Sequence, residues 1–204
     1  MNYWDFMRNG GEPEPKIRVW DGSLVNPYNL LPHDMKPIVF IHSISCLARF
    51  TGHAAYPYTV GQHSRNLTML VPPHLKRVAL AHDFSEALFN DMASPVKRQN
   101  PDYKEAEHDC GLRIFNHFGI GPDEYMELDE FDKRIYANER DVLFAGKIGE
   151  RGMGDELTKL PAPGLPHIFK ETDWRKVRGD LCLLWLTLFP EFDLFTGDFI
   201  HGVS

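Results

Sequence analysis

The segment ALAHDFSEALFND, residues 79–91, sets three ionisable side chains into an apolar framework. On a helical wheel with about 100° per residue, His82, Asp83 and Glu86 fall within one sector roughly 100° wide. Ala79 lies in the same sector, and its small side chain leaves room above the helix. An unpaired buried carboxylate is very costly, so this pattern predicts that a metal ion or a group of cations faces the helix.

The His–Asp dipeptide alone carries little information, because it occurs three times in the chain. His33–Asp34 follows a proline in a loop-like stretch, which is typical of a turn or a helix N-cap. His108–Asp109 lies among lysine and glutamate residues, which is typical of a solvated helix face. Only residues 82 and 83 combine the dipeptide with an apolar helix and a third ionisable group one turn later.

Two further residues are candidates to complete a metal site. His63 shares its predicted helix face with valine and leucine residues; taken alone, it is more typical of a hydrogen-bonded core histidine than of a metal ligand. Asp132 lies near the apolar side of an acidic predicted helix; taken alone, it is more typical of a solvated carboxylate. Together with His82 and Asp83 they form a mixed N/O set that suits a first-row divalent metal with open coordination positions. Such a metal lowers the pKa of a bound water and orients a phosphoryl group for in-line attack.

The pattern of apolar residues, caps and breakers predicts an all-α fold behind an irregular N-terminal arm. Residues 1–36 are rich in Gly, Pro and Asn and predict loop structure with one short strand pair, around IRVW and SLVN. Thr59 and Gln62 form a capping-box pattern at the start of the second helix. The predicted helices span residues 37–50, 59–71, 74–90, 102–119, 122–146 and 172–189, and the fourth has Asp102 as its N-cap.

Composition and charge narrow the function classes. The chain has 204 residues and a formal net charge of −7, which argues against general binding to nucleic acid or to anionic membranes. Its three cysteines are far apart and form no CxxC, which predicts buried free thiols in a reducing compartment. The N-terminus lacks the pattern of a signal peptide, and the apolar stretch LCLLWLTLF is too short to span a bilayer. We therefore expect a cytoplasmic protein.

Three segments, GQHS, AHDFSEALFNDMASPVKR and EFDKRIYANERDVL, resemble the H…HD…D pattern of HD-domain phosphohydrolases. More narrowly, the run HD-xx-E-xxxx-D-xxx-P-x-K, from His82 to Lys97, resembles the branch that includes the bacterial 5′-deoxynucleotidases and the phage-encoded dATP triphosphohydrolases. ISCLARFTGH and YPYTVGQHS also resemble the opening of compact phosphohydrolases common in phage genomes. The resemblance covers about residues 20–145. It implies an all-α HD-domain fold. Together with the pattern of helices, this predicts an N-terminal arm (1–36) and a helical core (37–204) on which the C-terminal helix packs.

The resemblance also implies a role for each matched position. The implied cofactor is a divalent metal ion: Mn, Co, Zn or Mg. Glu86 would be the acid/base or water-positioning group, and Asp91 a second carboxylate near the leaving oxygen. Phe50 would lie against sugar or base, although the deoxynucleotidases more often have Trp there. The implied metal ligands are His63, His82, Asp83 and Asp132, and the implied phosphate-binding residues are Arg49 and Lys97.

Each of these substrate-side residues also has a purely structural interpretation. Arg49 would be a cation at a helix end, and Lys97 an exposed lysine. Phe50 would be a core residue, and Asp91 would end a helix. His53 and Tyr58 lie between Arg49 and His63 in the sequence. They are further candidates for lining a substrate pocket.

The expected activity is metal-dependent hydrolysis at the 5′ phosphate of 2′-deoxynucleotides, with a small-molecule nucleotide as substrate. Removal of one phosphate from a deoxynucleoside monophosphate and removal of triphosphate from dATP both agree with the ligand set. Two alternatives stay open. One is an HD phosphodiesterase on a cyclic nucleotide, which needs further histidines for a second metal; the other is a non-catalytic, metal-stabilised nucleotide-binding module. The resemblance also implies self-association into a homo-oligomer.

Overall fold

Helices make up most of the part of the chain that the computed structural model describes, residues 14–144, 159–161 and 168–200. This confirms the predicted all-α fold class. The predicted strand pair is also confirmed: β1 (Ile17–Arg18) and β2 (Leu24–Val25) are antiparallel, with Ile17 opposite Val25. Within the described residues, no helix has the length and apolar character needed to cross a membrane. The α-helices are α1 (Pro37–Cys46), α2 (Val60–Leu70), α3 (Lys76–Ala81), α4 (Glu86–Phe89), α5 (Ser94–Lys97), α6 (Pro101–His117), α7 (Pro122–Leu143) and α8 (Trp174–Leu188).

Helix α1 is the apolar centre of the fold. It starts with Pro37 at its first position, where the missing N–H costs no helical hydrogen bond. The residues from Ile38 to Ile41 are all buried, so this part of the helix is apolar and buried on nearly every side. Such a helix has to be covered by other elements, and α2, α4 and α8 pack against it.

Helix α2 is buried although many of its residues are polar. The hydroxyl of Thr59 accepts from the backbone N–H of Gln62 at 3.0 Å, so Thr59 caps the helix as predicted. The reciprocal half of the predicted capping box does not form, because the side chain of Gln62 is directed elsewhere. Buried polar side chains need partners. Gln62 donates to the carbonyl of Lys170 at 2.6 Å, and Asn66 donates to the carbonyl of Ile168 at 2.9 Å. These bonds attach the segment before α8 to α2 and make α2 a rigid support for the residues it carries.

An aromatic cluster holds α8 to the rest of the core. Trp185 is fully buried, stacks on Phe189 with ring centroids 4.2 Å apart, and meets Phe118 edge-on at 4.8 Å. Phe84, in the turn after α3, also stacks with Trp185, at 6.0 Å. Aromatic pairs at such distances add stabilisation beyond the area they bury. The turn after α3 is therefore anchored in the core.

The prediction of one continuous helix over residues 74–90 is wrong. Helix α3 ends at Ala81, and α4 begins only at Glu86, with a four-residue turn between them. In this turn the N–H of Phe84 donates to the carbonyl of Ala81, and the N–H of Glu86 donates to that of Asp83, both at 3.0 Å. Bonds that step back three residues wind the chain more tightly than an α-helix. The single helical face derived for the ionisable groups is therefore distorted.

Helix α1 also ends earlier than predicted. Its last residue is Cys46, because Leu47 adopts an extended backbone with φ −74° and ψ 121°. The three cysteines are free, as predicted, but only Cys110 is buried, and Cys46 is exposed. The prediction of burial is wrong for Cys46.

The ends of the two long helices need smaller corrections. Helix α6 begins at Pro101 with Asn100 in the N-cap position, so Asp102 is not the N-cap but lies in the first turn, where its charge suits the helix dipole. Helix α7 ends at Leu143. The predicted end of that helix, Gly146, lies outside the described residues.

Two glycines test how closely the helices pack. A β-carbon on Gly61 in α2 would lie 2.9 Å from the Cα of Ser45 in α1, whereas one on Gly179 in α8 would meet nothing within 4 Å. We expect Gly61→Ala to lower the free energy of unfolding by about 1–3 kcal/mol through overpacking. Gly179→Ala should raise it by roughly 0.5–1 kcal/mol, because alanine favours the helix. Urea denaturation of both variants measures these changes, and a stabilising Gly61→Ala would contradict the close α1–α2 contact.

Candidate metal centre

Three ligand-type side chains from separate elements converge at one point, called here the metal centre. His63 comes from α2, His82 from the turn after α3, and Asp132 from α7. The two Nε2 atoms lie 3.2 Å apart, and Oδ1 of Asp132 lies 3.1 Å from Nε2 of His63. The three ligand atoms all lie within 4.8 Å of one another. Atoms that surround one ion at about 2 Å each have this spacing.

Hydrogen bonds on the far sides of the two imidazoles set their orientation. Nδ1 of His63 lies 2.7 Å from Oε1 of Glu139, and Nδ1 of His82 lies 2.9 Å from the carbonyl oxygen of Ala79. Because a carboxylate and a carbonyl only accept, each Nδ1 carries a proton, so that in the neutral form of each ring Nε2 presents a lone pair to the centre. Two lone pairs facing each other need a cation or a proton between them.

Two carboxylate oxygens beside the imidazoles lack hydrogen-bond donors. Oδ1 of Asp132 and Oδ2 of Asp83 are both buried, and no donor reaches either with hydrogen-bond geometry. Oδ2 of Asp83 lies 3.1 Å from Nε2 of His82 and 3.8 Å from Nε2 of His63, but Asp83 stands outside the three-residue group. Orphaned carboxylate oxygens next to imidazole lone pairs are a donor set that first-row divalent metals accept. The residues present therefore fit such an ion.

The surrounding charges favour a positive charge at the metal centre. Burial and the nearby Arg49 lower the pKa of His63, but the carboxylates of Glu139 and Asp132 outweigh them and raise it above its ordinary value. Burial opposes ionisation of Asp132, yet contacts with His63 and His82 hold the pKa of that carboxyl well below its usual range. A proton on His63 supplies the positive charge in the metal-free protein, and a divalent ion would supply it when bound.

A cavity of about 220 Å³ adjoins the metal centre. The segment from α3 to α4 forms one wall, and helices α5 and α6 contribute most of the others. Its lining residues are His82, Asp83, Ser85, Glu86, Lys97, Lys104, Glu107, His108, Gly111, Leu112, Phe115 and Tyr125. A molecule in this cavity would therefore border both the metal centre and several charged groups.

The two predicted catalytic carboxylates differ in their relation to the cavity. Glu86 lines it, is only 8% exposed, and has a buried Oε2 without a hydrogen-bond partner. Burial, together with the charges of Asp83 and Asp91, raises the pKa of Glu86 well above its ordinary value. Asp91 is half-buried and is not one of the lining residues; burial also raises its pKa. A buried carboxyl with a raised pKa beside a cavity is typical of proton-transferring groups.

Both predicted phosphate-binding cations are held by buried glutamates. Nε of Arg49 donates to Oε2 of Glu139 at 3.0 Å, and the ammonium of Lys97 lies 2.7 Å from Oε2 of Glu107. Lys97 lines the cavity, which excludes its interpretation as a plain surface lysine, whereas Arg49 is not one of the lining residues. Each cation thus has a fixed anchor.

The three remaining predicted substrate-binding residues lie away from the cavity. Phe50 packs edge-on against Phe144 with ring centroids 5.3 Å apart, and His53 is exposed. Tyr58 is 1% exposed, and its hydroxyl donates to Oε1 of Glu139 at 2.8 Å. The prediction that Tyr58 lines a substrate pocket is therefore corrected, because it is a buried partner of Glu139.

Backbone strain is concentrated next to predicted site residues. Phe50 and Thr51 adopt left-handed conformations, φ 58° and 53°, directly after Arg49. Asn90 adopts φ 80° and ψ 153° directly before Asp91. Among the described residues these are the non-glycine positions with positive φ. Such conformations persist where surrounding contacts enforce them, and they cluster at functional sites.

Two buried glutamates that organise the site are absent from the sequence-based predictions. Glu139 is fully buried and follows Asp132 by two helical turns on α7, so the two share one helix face. That spacing was the signal by which the sequence could have pointed to Glu139 as a residue of the site. Glu107 is 7% exposed and pairs with Lys97. The prediction of a solvated face fits His108–Asp109, which is exposed, but is wrong for Glu107.

Comparisons with known proteins add a relative whose name states no activity. No protein-family model matches the chain. The chain is similar to the uncharacterized protein YfdR of Escherichia coli (strain K12), with 36% identity over 98 residues. The similar region covers 48% of this chain and 55% of the relative, so the chain spans about half the length of the curated relative it matches. Support for a function therefore comes from the metal centre and its cavity.

The affinity of the metal centre for a divalent ion should rise with pH. In the metal-free protein the raised pKa of His63 keeps a proton on its imidazole at neutral pH, and this proton must leave before Nε2 can bind an ion. Displacement of one proton strengthens the apparent affinity about tenfold per pH unit between about pH 6 and 8. Titration of the metal-free protein with Co²⁺, followed by visible absorption, measures this slope. An affinity independent of pH would contradict the assignment of His63 as a metal ligand that is protonated in the metal-free protein.

Asn90 allows a test of the strained turn before Asp91. The hydroxyl of Tyr103 donates to the carbonyls of Phe89 and Asn90 and so holds this turn in place. Because glycine tolerates the conformation of residue 90, we expect Asn90→Gly to raise the free energy of unfolding by about 1 kcal/mol. Asn90→Ala should lower it by a similar amount, about 1 kcal/mol. Thermal denaturation compares the two, and an alanine variant more stable than the glycine variant would argue against strain here.

Proposed function

We propose that this protein is a metal-dependent phosphohydrolase that acts at the 5′ phosphate of 2′-deoxynucleotides. One observation carries the proposal. Two imidazoles with fixed orientation and Asp132 lie beside a cavity whose wall includes Glu86, the buried Oε2 of which has no hydrogen-bond partner. The resemblance of the surrounding segments to HD-domain phosphohydrolases supports the same reaction class.

In the proposed reaction the metal ligands hold the ion, and Glu86 transfers the proton. His63, His82 and Asp132, with Asp83 beside them, would hold a divalent ion, which lowers the pKa of a water molecule and polarises a phosphoryl group. Glu86 would take up and release the proton. Its unpaired oxygen can accept a proton, and its pKa, raised by burial and by the charges of Asp83 and Asp91, favours the protonated form more than that of an ordinary glutamate.

Two cations are proposed to bind the phosphoryl oxygens. An ammonium has three N–H donors and a guanidinium has five. Lys97 already contacts Glu107, and Arg49 uses its Nε for Glu139, so both keep donors for a substrate. Asp91, which raises the pKa of Glu86 through its charge but does not line the cavity, is proposed as the second carboxylate, near the leaving oxygen.

The size of the cavity supports binding of the reacting end of a substrate. Its volume of about 220 Å³ is below the roughly 300–1,000 Å³ typical of pockets that enclose a whole small ligand. We propose that phosphate and sugar enter it and that the base lies outside. Within the described residues a single three-ligand group occurs, so a two-metal cyclic-nucleotide phosphodiesterase is not favoured.

Nucleotide hydrolysis tests the proposal directly. Protein loaded with Mn²⁺, Co²⁺ or Mg²⁺ should consume at least one member of a panel of dNMPs, NMPs and dNTPs, with deoxynucleotides preferred. Chromatography of the products separates release of one phosphate from release of triphosphate and so decides between monophosphates and dATP. If no member of the panel is hydrolysed with any of these ions, the proposal fails.

Matched variants assign the activity to this site. Glu86→Gln should lower kcat by about 10²–10⁴, the usual contribution of a general acid or base, while Co²⁺ affinity is retained. Asp132→Asn should instead weaken Co²⁺ binding. Glu127→Gln, at an exposed position of α7, removes the same charge away from the site and should change neither quantity. Full activity of Glu86→Gln would exclude the proton-transfer role.

A further inference from the structure

Glu139 collects three donors on one buried carboxylate. Its Oε1 accepts from Nδ1–H of His63 at 2.7 Å and from the hydroxyl of Tyr58 at 2.8 Å, and its Oε2 accepts from Nε–H of Arg49 at 3.0 Å. The hydroxyl of Tyr58 in turn accepts from the amide of Asn66 at 3.1 Å. Glu139 is fully buried, so water does not compete for these bonds.

Burial makes these contacts obligatory. A carboxylate removed from water is strongly destabilising unless donors surround it. If either His63 or Arg49 turned away, one oxygen of Glu139 would lose a donor that solvent cannot replace. The carboxylate therefore fixes the position of both side chains.

The two partners have different tasks. His63 presents Nε2 to the metal centre, and its Nδ1 bond to Glu139 determines which nitrogen faces the ion. Arg49 is the first residue of the strained 3₁₀ turn Arg49–Gly52, and the bond to Glu139 holds its guanidinium. One side chain of α7 thus supports residues from two other elements.

We infer that Glu139 is a positioning residue that fixes, through a single carboxylate, both the metal ligand His63 and the phosphate-binding Arg49. The part about His63 requires only the metal centre, whereas the part about Arg49 rests on the proposed function. A carboxylate behind a metal-bound imidazole orients the ring and increases its basicity, and its loss typically weakens metal affinity about 10–100-fold. Loss of the anchor of Arg49 weakens the binding of phosphate.

The test uses Glu139→Gln and two binding measurements that do not require catalysis. The amide keeps the size of the side chain but removes the charge, and its NH₂ group meets the donor of Arg49 or of His63. Titration of the metal-free protein with Co²⁺ should show affinity about 10–100-fold weaker and an altered visible spectrum. Calorimetric titration of the Co²⁺-saturated protein with inorganic phosphate should show affinity about tenfold weaker, the loss expected for one charge-assisted hydrogen bond.

The matched control is Glu127→Gln, which removes an exposed carboxylate from the same helix and should leave both affinities at the wild-type values. Glu139→Asp is the second variant and guards against failure of Glu139→Gln to fold, as judged by circular dichroism. It keeps the charge but is one methylene shorter, so its carboxylate is drawn back from both His63 and Arg49, and the same two losses are expected.

Wild-type affinities for Co²⁺ and phosphate in a folded Glu139 variant would overturn the inference. Loss of Co²⁺ affinity alone would overturn the part about Arg49, and loss of phosphate affinity alone would overturn the part about His63. If wild-type protein binds Co²⁺ but hydrolyses no nucleotide, the proposed function fails, and the Co²⁺ titration still decides the role of Glu139 toward His63.

Discussion

The structure depends on a requirement for positive charge where α2, α7 and the turn after α3 meet. Two imidazole lone pairs and the orphaned oxygens of Asp83 and Asp132 point toward one small volume, away from solvent. Within the described residues no donor reaches the two carboxylate oxygens, and leaving buried carboxylates unpaired is costly. A proton or a metal ion there would satisfy these groups. From the polar helix α2, Asn66 supports the site through Tyr58, whose hydroxyl accepts from the amide of Asn66.

The rest of the fold supplies rigidity to this arrangement. Helix α1 is largely buried and supports α2, while stacking of Phe84 on Trp185 anchors the turn that carries His82. Strained backbone at Phe50, Thr51 and Asn90 sits next to two of the charged residues of the site. Strain of this kind is stable only because the surrounding core enforces it. Stability gained in the core is thus used to hold side chains in positions that the local chain does not favour.

The sequence allowed prediction of the helical class and of the convergence of His63, His82 and Asp132. Apolar periodicity indicates the helices, and the H…HD…D spacing indicates the three ligands, and both can be recognised in a single sequence. It did not allow prediction of the break after Ala81. That turn has neither Gly nor Pro and is formed by bonds that step back three residues in an otherwise helical pattern.

The buried ion pairs were harder to predict for another reason. Glu139 and Glu107 lie in acidic helices whose charged residues are mostly solvated, and only the tertiary contacts of Arg49 and Lys97 distinguish these two glutamates from their neighbours. Helical spacing could indicate that Glu139 shares a face with Asp132. It could not indicate that Tyr58, taken for a substrate contact, is turned toward the same carboxylate.

The two imidazoles of the metal centre differ in the sequence distance to the group that orients each ring. His82 is oriented by the carbonyl of Ala79, within its own turn, whereas His63 is oriented by Glu139, which lies 76 positions away. The orientation of His82 can therefore form locally, whereas that of His63 forms only when α7 has packed against α2. An ion bound here would act as a cross-link that closes the chain between residues 63, 82 and 132. Metal occupancy would thus be coupled to tertiary folding, adding about 2.7 kcal/mol of stability at a free ion concentration 100 times the dissociation constant.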